Sequence, residues 1–385
     1  MKKQLAFTQF YAALGRKAAQ ALCLALCLLG LGLSTNAEHS KGVIITFNAG
    51  GAGTGANQGT QPLAINPAGA ITGLVCDPST CHGFVRAPDG DITPFHVPGA
   101  TGTAAESINP AGAITGEYWD SSGFYHGYLR APDGSITPFD APGAGTTVPD
   151  SYQGTYATSI NPGGWISGYI VDDSGVYHGF LRAPDGTFTG FNARHAGTSS
   201  GQGTWPAGIS GINPARVIAG SYQDNDGVYH GLVRTRDGFI FPVDAWGAGR
   251  GSSQGTETSS INPAGAITGQ FIDPRGVYHG FLRAPYGFII RFDYPGAGKA
   301  PGQGTFGSSI NPAWEIAGEY IDVEGVNRGL VRAPNGRFTP FDCPAKDAGT
   351  GSGQGTVPES NNPAGAITGY CIDTNGAFHG FLWTP

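Results

Sequence analysis

The chain has 385 residues, 21 of them basic and 28 acidic, for a formal net charge of −7. That balance excludes a binder of nucleic-acid backbones, which needs clustered cations to displace counterions, and it excludes adhesion to acidic membrane surfaces for the same reason. Gly and Pro together make up 93 residues, close to the level at which disorder is expected, but the glycines recur at regular intervals, and regular punctuation means turns.

At the N-terminus, Lys2, Lys3, Arg16 and Lys17 form a basic lead, and Ala21 to Leu33 is an apolar run of thirteen. Thr35-Asn36-Ala37 places small residues where a signal peptidase reads. The expectation is a cleaved secretory signal over residues 1–37 and an exported product, periplasmic or extracellular; the alternative is an uncleaved N-terminal anchor. Cleavage removes four basic residues and no acidic one, leaving 17 basic against 28 acidic, a net of −11. No second apolar run exists, so no membrane span is expected after cleavage.

Cys23 and Cys27 leave with the signal, and Cys76, Cys81, Cys343 and Cys371 remain. In an oxidising compartment an even count suggests disulfides. Cys76 and Cys81 flank a four-residue turn and are expected to bond across a hairpin. Cys343–Cys371 is the only pairing left, with no support from spacing. Buried free thiols are the alternative for both.

From Leu63 onward one motif repeats. Asn-Pro pairs mark the copies at Asn66, Asn109, Asn161, Asn213, Asn262, Asn311 and Asn362, at steps of 43, 52, 52, 49, 49 and 51 residues. Copy two shows the plan: a short strand "SIN"; the turn "NPAG", with Pro fixing φ and Gly accepting positive φ; the strand "AITGEYW"; the turn "DSSG"; the strand "FYHGYLR"; the turn "APDG"; and "SITPFD", whose Pro138 suits an edge strand. Three tight turns between short strands make an antiparallel meander. Four strands at this repeat length are the signature of propeller blades. The fold class is therefore all-β, a seven-bladed β-propeller. The blades are expected at 62–97, 104–141, 156–193, 207–245, 257–294 and 306–343, with the seventh at 357–385 plus 42–49. Copy seven stops after three strands at Pro385, while Gly42 to Asn48 matches the fourth strand Gly134 to Asp140. The N-terminal strand is thus expected to complete the last blade, and closure removes exposed edges. An open β-solenoid is the rival. A Gly at the centre of each second strand (Gly73, Gly116, Gly168, Gly220, Gly269, Gly318, Gly369) is expected to admit a neighbouring sheet or backbone.

The pattern "IN…G.I.G", then "H.F", then "G", is similar to the HAF-type extracellular repeats over Leu63 to Pro385. The resemblance implies export and a repeated β-fold, and implies no activity.

The recurring His (His82, His126, His178, His230, His279 and His379, with Arg328 in copy six), the recurring Arg (Arg86, Arg130, Arg182, Arg234, Arg283 and Arg332, with Trp383 in copy seven) and the later acid or amide (His96, Asp140, Asn192, Asp244, Asp293, Asp342, Asn48) are read as a structural hydrogen-bonding network. A catalyst needs one constellation, whereas a scaffold needs the same one in every blade. Equivalent histidines in different blades lie too far apart for one ion, and the turn aspartates lack the oxygen count calcium requires, so no metal and no cofactor are expected. Function, if local, belongs where copies differ. The long inter-blade loops with "GQGT" share a face with the "DxxG" turns, and they bring Tyr152, Gln153, Tyr156, Gln202, Trp205, Trp246, Gln254, Gln303, Phe306 and Gln354 together as a candidate ligand-binding rim. Rings with amides suit sugars and also suit protein partners. The residue after the second-strand Gly varies too (Leu74, Glu117, Tyr169, Ser221, Gln270, Glu319, Tyr370) and is a candidate channel lining, with Glu117 and Glu319 as its acids. The overall expectation is a monomeric, non-enzymatic binding or scaffold module for glycan or protein. The alternatives are a propeller enzyme (polysaccharide lyase or glycoside hydrolase), which would show a deep pocket of ionisable groups with shifted pKa, and a purely structural surface protein.

Overall fold

In copy two, the strands run Gly102–Ile108, Ile114–Trp119, Tyr125–Arg130 and Ile136–Phe139, each antiparallel to the next. These elements come from a computed structural model, which describes residues 42–149, 151–208 and 210–385; the expected signal over 1–37 lies outside them. Turn chemistry fixes the registers. Asn109 Oδ1 accepts the backbone N–H groups of Ala111 and Ala113, both at 3.0 Å. Asp120 Oδ1 accepts those of Ser122 and Phe124. Both are Asx-type turns that satisfy backbone donors locally. The same plan recurs in every copy, so the fold is all-β and built from repeated four-stranded units. Twenty-eight strands among the described residues fit seven such units.

The first strand is longer than "SIN". It begins at the Gly-Thr of the preceding loop, at Gly59, Gly102, Gly154, Gly203, Gly255, Gly304 and Gly355, two to four residues before the expected blade starts. In six of the seven a β-bulge leaves one residue of this strand unpaired: Leu63, Glu106, Thr158, Ser259, Ser308 and Glu359. The central Gly of the second strand answers to close approach of the first strand, in the bulged units and also in unit four, where a Cβ on Gly220 would lie 2.6 Å from the carbonyl oxygen of Trp205. A Cβ on Gly116 would lie 2.1 Å from the carbonyl oxygen of Ala104. The backbone that approaches is therefore the unit's own first strand. Unit four has no such bulge. Its strand ends at Pro206 and a longer segment, three residues more than its counterparts, leads to Asn213.

Each unit buries one Ile of its second strand (Ile71, Ile114, Ile166, Ile218, Ile267, Ile316, Ile367) and the residue after Gly in its third (Phe84, Tyr128, Phe180, Leu232, Phe281, Leu330, Phe381). Each contributes roughly 1.5–3 kcal/mol by burial, too little for one sheet to stand alone.

Three sets of contacts join unit to unit. Asn109 Nδ2 donates to the carbonyl of Asn161, and the same bond links Asn66 to Asn109, Asn161 to Asn213, Asn213 to Asn262, Asn262 to Asn311 and Asn311 to Asn362, at 3.1–3.4 Å. Asn362 donates to Asn66 at 3.3 Å, so the series returns to its start. The first residue of a third strand bridges in parallel to the Gly of the next unit, as Tyr125 does to Gly154 and Phe378 to Gly59. The recurring Arg sits 4.6–5.1 Å over the fourth-strand Phe of the preceding unit: Arg130 over Phe95, Arg182 over Phe139, Arg234 over Phe191 and Arg332 over Phe292. The position is Val243 in unit four, so the series skips Arg283. In unit seven Trp383 stacks on Phe341 instead, at 5.3 Å.

The N-terminal strand Val43–Phe47 lies antiparallel to the last strand, Phe378–Thr384, with Val43 opposite Thr384 and Phe47 opposite Gly380. Phe47 then serves as the ring beneath Arg86. Both cysteine pairs are bonded. Cys76–Cys81 crosses the hairpin of unit one, and Cys343–Cys371 ties the end of unit six to unit seven. Among the described residues no helix is long and apolar enough to cross a membrane.

Candidate functional site

The recurring histidines bridge two elements of their own unit. His230 meets Asp244, at the end of the fourth strand, through Nδ1 at 3.0 Å, and the turn residue Asp224 through Nε2 at 3.2 Å. His126 joins Asp140 and Asp120 in the same way and His178 joins Asn192 and Asp172, whereas His279 bonds Asp293 through Nδ1 and its Nε2 stands 3.5 Å from Asp273 without a hydrogen bond. His379 reaches Asp373 and, from the N-terminal segment, Asn48. In unit one His82 meets His96. Arg328 spans Asp322 and Asp342 with one guanidinium, which shows that the site needs a donor to two acceptors rather than an imidazole.

The loop glutamines are occupied as well. Gln153 is 2 % exposed; its Oε1 accepts the N–H groups of Thr147 and Val148, and its Nε2 donates to the Asp173 carbonyl. Gln202, Gln254, Gln303 and Gln354 repeat this, each joining its loop to a turn of the same unit. The loops and the Asp-x-x-Gly turns thus do share one end of the units. Trp246 stands out from that rim at 92 % exposed and Tyr152 at 68 %.

Tyr156, Trp205 and Phe306 stand just past those loops, on the third residue of their first strands, and Gly201 of the loop before Trp205 lines the same cavity as its ring. That position is Gln61, Ala104, Tyr156, Trp205, Glu257, Phe306 and Val357 along the chain. Each is paired directly with the variable residue of the second strand: Leu74, Glu117, Tyr169, Ser221, Gln270, Glu319 and Tyr370. The two variable positions therefore form one surface; it carries rings in unit three (Tyr156, Tyr169) and unit four (Trp205), where the first residues of the third strands (Tyr125, Tyr177, Tyr229) join them. Tyr125 stacks on Tyr156 at 4.7 Å, Tyr156 on Tyr169 at 4.8 Å, and Tyr169 meets Tyr177 edge-on at 5.5 Å. Tyr177 meets Trp205 at 5.7 Å and Trp205 meets Tyr229 at 6.3 Å, both near perpendicular. The arc ends at Glu257, beside Gln270. Tyr278 and Phe306 form a separate pair at 4.4 Å.

The bulged residues converge on a second space. A cavity of about 430 Å³ is lined by Leu63, Glu106, Ser259, Ser308 and Glu359 from the bulges and by Glu319 from the paired position. Gly208 and Ser210 enter it from the inserted segment of unit four. A bulge re-aims the extra side chain, and here it aims most of them at one space. Burial pushes the Glu319 carboxyl up to about 7, and burial together with the charges of Glu319 and Glu106 pushes Glu359 up to about 8. Glu106 and Glu117 hydrogen-bond to each other, and burial raises both, Glu117 the more strongly because the Glu106 charge adds to it. Oε2 of Glu117 and of Glu319 is buried without a hydrogen-bond partner, which suits a neutral carboxyl. A carboxyl held neutral in such a place can donate as well as accept. Among the described residues no group of three or more His, Cys, Asp and Glu side chains is placed to hold a metal ion.

Glu117 and Glu319 were marked in the sequence by their variability. Glu106, Glu257 and Glu359 carry no such mark: they lie ahead of the short strand "SIN", and nothing in the sequence announces that the first strand already begins at Gly-Thr. Tyr125, Tyr177 and Tyr229 open the third strands of units two, three and four, and a residue that recurs at one position carries no functional mark of its own.

Neither a family model nor a curated protein matches the sequence. Solved structures do match in shape. Virginiamycin B lyase from Staphylococcus aureus aligns with a TM-score of 0.54 at 14% identity, covering 89% of this chain and 99% of that one. The lectin BP39L from Burkholderia pseudomallei aligns with a TM-score of 0.56 at 12% identity, covering 84% and 97%. Puromycin hydrolase aligns at 0.53 and 12%, covering 84% of this chain and 52% of the other. At such identities the likeness shows the fold alone, and that fold is the β-propeller.

Proposed function

We propose that this chain is an exported seven-bladed β-propeller of the HAF-repeat type, closed by its N-terminal strand, that binds a glycan on the face carrying the Gly-Gln-Gly-Thr loops. The return of the asparagine series to Asn66 and the pairing of Val43–Phe47 with the last strand support closure. One observation carries the binding reading. Rings at the variable positions of units three and four (Tyr156, Tyr169, Trp205) interleave with the first residues of the third strands of units two to four (Tyr125, Tyr177, Tyr229) in a continuous arc, and the arc ends at a carboxylate and an amide. Rings take the apolar faces of sugars, and carboxylates and amides take their hydroxyls. The scaffold contacts do not call for those rings, since units one and seven keep the same bridges with Gln61 and Val357 at the ring position.

The test is a screen of the mature protein against polysaccharides that scores both retention and product release. Retention without release, lost in Trp205→Ala, is the expected result. A second reading, a glycan-cleaving enzyme, is favoured by the cavity of protonatable carboxyl groups. Release of product that disappears in Glu319→Gln and Glu359→Gln would establish it over the first. Absence of both retention and release would leave a protein partner or a structural role.

A further inference from the structure

The last part of the arc is not a flat platform. Tyr169, Tyr177, Trp205, Tyr229 and Glu257 surround a cavity of about 260 Å³, with Gly201 at its edge. The ring planes of Tyr169 and Tyr177 stand at 77° to each other, those of Tyr177 and Trp205 at 69°, and those of Trp205 and Tyr229 at 82°. Successive planes turned by such angles form walls rather than a stack. All five side chains are half-buried, so the cavity is screened but open. No atom lies within 4 Å of where a Cβ would sit on Gly201, which keeps that edge clear.

Glu257 is the anomaly. It is the one carboxylate among four rings, and its nearest polar partner is a long 3.5 Å contact from Gln270 Nε2. Burial raises its pKa, and among the described residues no cationic side chain acts on it. A carboxylate recessed among rings without a cation is an incomplete arrangement. Ring faces carry the negative side of an aromatic quadrupole, and a group of rings closing on a carboxylate is complementary to an organic cation with an apolar skirt.

We infer that this box binds an alkylammonium group, with the rings around its carbon atoms and Glu257 against its charge. The inference rests on this face being the ligand-binding one and narrows what it takes. Such a group comes from two sources: the trimethylammonium of a choline-type substituent or the ammonium of a de-N-acetylated amino sugar. No other unit repeats the box: the position of Trp205 has no ring in units one, two, five and seven, around Phe306 the counterparts of Tyr169, Tyr229 and Glu257 are Gln270, Asn327 and Val357, and around Tyr156 the counterpart of Glu257 is Trp205.

Calorimetric titration of the mature protein tests this with five probes: tetramethylammonium, choline, the neutral carbon isostere 3,3-dimethylbutan-1-ol, a glucosamine tetramer and its N-acetylated counterpart. The expected result is saturable binding of at least one cationic probe, ten-fold or more tighter than its neutral match. Preference for choline over the glucosamine tetramer assigns the substituent, and the reverse assigns the sugar. Glu257→Gln should weaken that binding about ten-fold and Trp205→Ala should abolish it. His178→Ala, in the repeated network, should leave it unchanged, and thermal melts confirm that each variant folds. Equal binding of the neutral and cationic probes, or cation binding that survives both Glu257→Gln and Trp205→Ala, overturns the inference. If neutral oligosaccharides bind and cations gain nothing, the glycan reading stands and this one falls. If no probe binds and the polysaccharide screen is also empty, both fall.

Discussion

Two regions of each unit follow opposite rules. Around the outside, a donor between two acceptors, an Arg over a Phe and an Asn passed from unit to unit recur with few exceptions, and the exceptions keep the geometry. Arg328 reaches the same two aspartates that a His reaches elsewhere, and Trp383 covers Phe341 where other units use Arg. On the inner strands, the paired positions change from ring to acid to aliphatic with no compensating partner. Where a substitution is always matched by an equivalent, the site is holding the structure together. Where it is not matched, the backbone has left the side chain free for something else. The inner surface is thus the place where chemistry accumulated, and the outer network is the condition for it.

The sharpest way to break that distinction is to remove the contacts that join the last unit to the first. Deleting residues 42–48 takes away the fourth strand of unit seven, the ring beneath Arg86 and the partner of His379 at once. It exposes an unpaired strand edge. The expected outcome is loss of the cooperative melt and recovery mainly as aggregate. Appending Asp-Gly followed by the sequence of Val43 to Asn48 after Pro385 should restore folding, because Thr-Pro-Asp-Gly recreates the turn that precedes every other fourth strand. A deletion variant that still melts cooperatively at the parental temperature would falsify the claim that the N-terminal strand closes the array.

The pairing of Val43–Phe47 with the last strand was legible in the sequence, since Gly42 to Asn48 reads as a displaced copy of Gly134 to Asp140. So were the turns, whose Asn, Asp and Gly each have one physical job. What escaped was set by a single residue per unit. Alternation assigns faces only while the register holds, and the bulge at Glu106 or Glu359 resets it. A residue that strict alternation leaves undecided becomes the one aimed into the cavity. The insertion of unit four was equally opaque, because the step from Asn161 to Asn213 equals the one before it, and a longer inner segment is hidden by a shorter loop. The bond between Cys343 and Cys371 joins two units and has no local signature, unlike the hairpin pair.

The disulfides extend the comparison between units one and six to seven. Cys343–Cys371 closes 28 residues and Cys76–Cys81 only 5. By loop-closure entropy the first is worth about 3.5 kcal/mol and the second about 2 kcal/mol. Paired Cys→Ser variants unfolded in denaturant should keep that order; the reverse order would mean that the link between units six and seven contributes less than the hairpin it resembles.

Single residues give the direct contrast. His178→Ala removes bonds to Asn192 and Asp172 and should cost about 1–2 kcal/mol of stability, with ligand retention intact. Gln202→Ala frees its loop and should cost about 1 kcal/mol. Tyr156→Ala, on the inner surface, should reduce retention at least as much as it reduces stability. If the outer variants lose binding first, the division between the two regions is wrong.

The smallest effect is the pH dependence of melting, and its sign separates the regions again. In the outer network, burial works against the carboxylates of Asp120, Asp172 and Asp224, but backbone N–H donors and the adjacent His outweigh it and hold them below their ordinary value of 3.8. Asp273 is held at about 2. These groups stabilise the fold above the unfolded pKa, and the gain is lost as pH falls through the folded one. In the inner cavity the sign reverses. Glu319 and Glu359 stay protonated to about 7 and about 8 in the folded protein, while the unfolded chain releases those protons near 4.5. Folding therefore binds protons between these values, and stability declines as pH rises from about 4.5 through 8. His126, raised above 6.5 chiefly by its bond to Asp140, declines over the alkaline part of the same window. The melting temperature should be highest near pH 5 and fall towards pH 9. Glu359→Gln should flatten the alkaline limb and raise the melting temperature at pH 8 by about 1–2 °C, with no change on the acid limb, where the aspartates govern. Parallel curves for the parent and Glu359→Gln would mean that the cavity carboxyls are ionised at neutrality, and the donor chemistry assigned to them would go with that result.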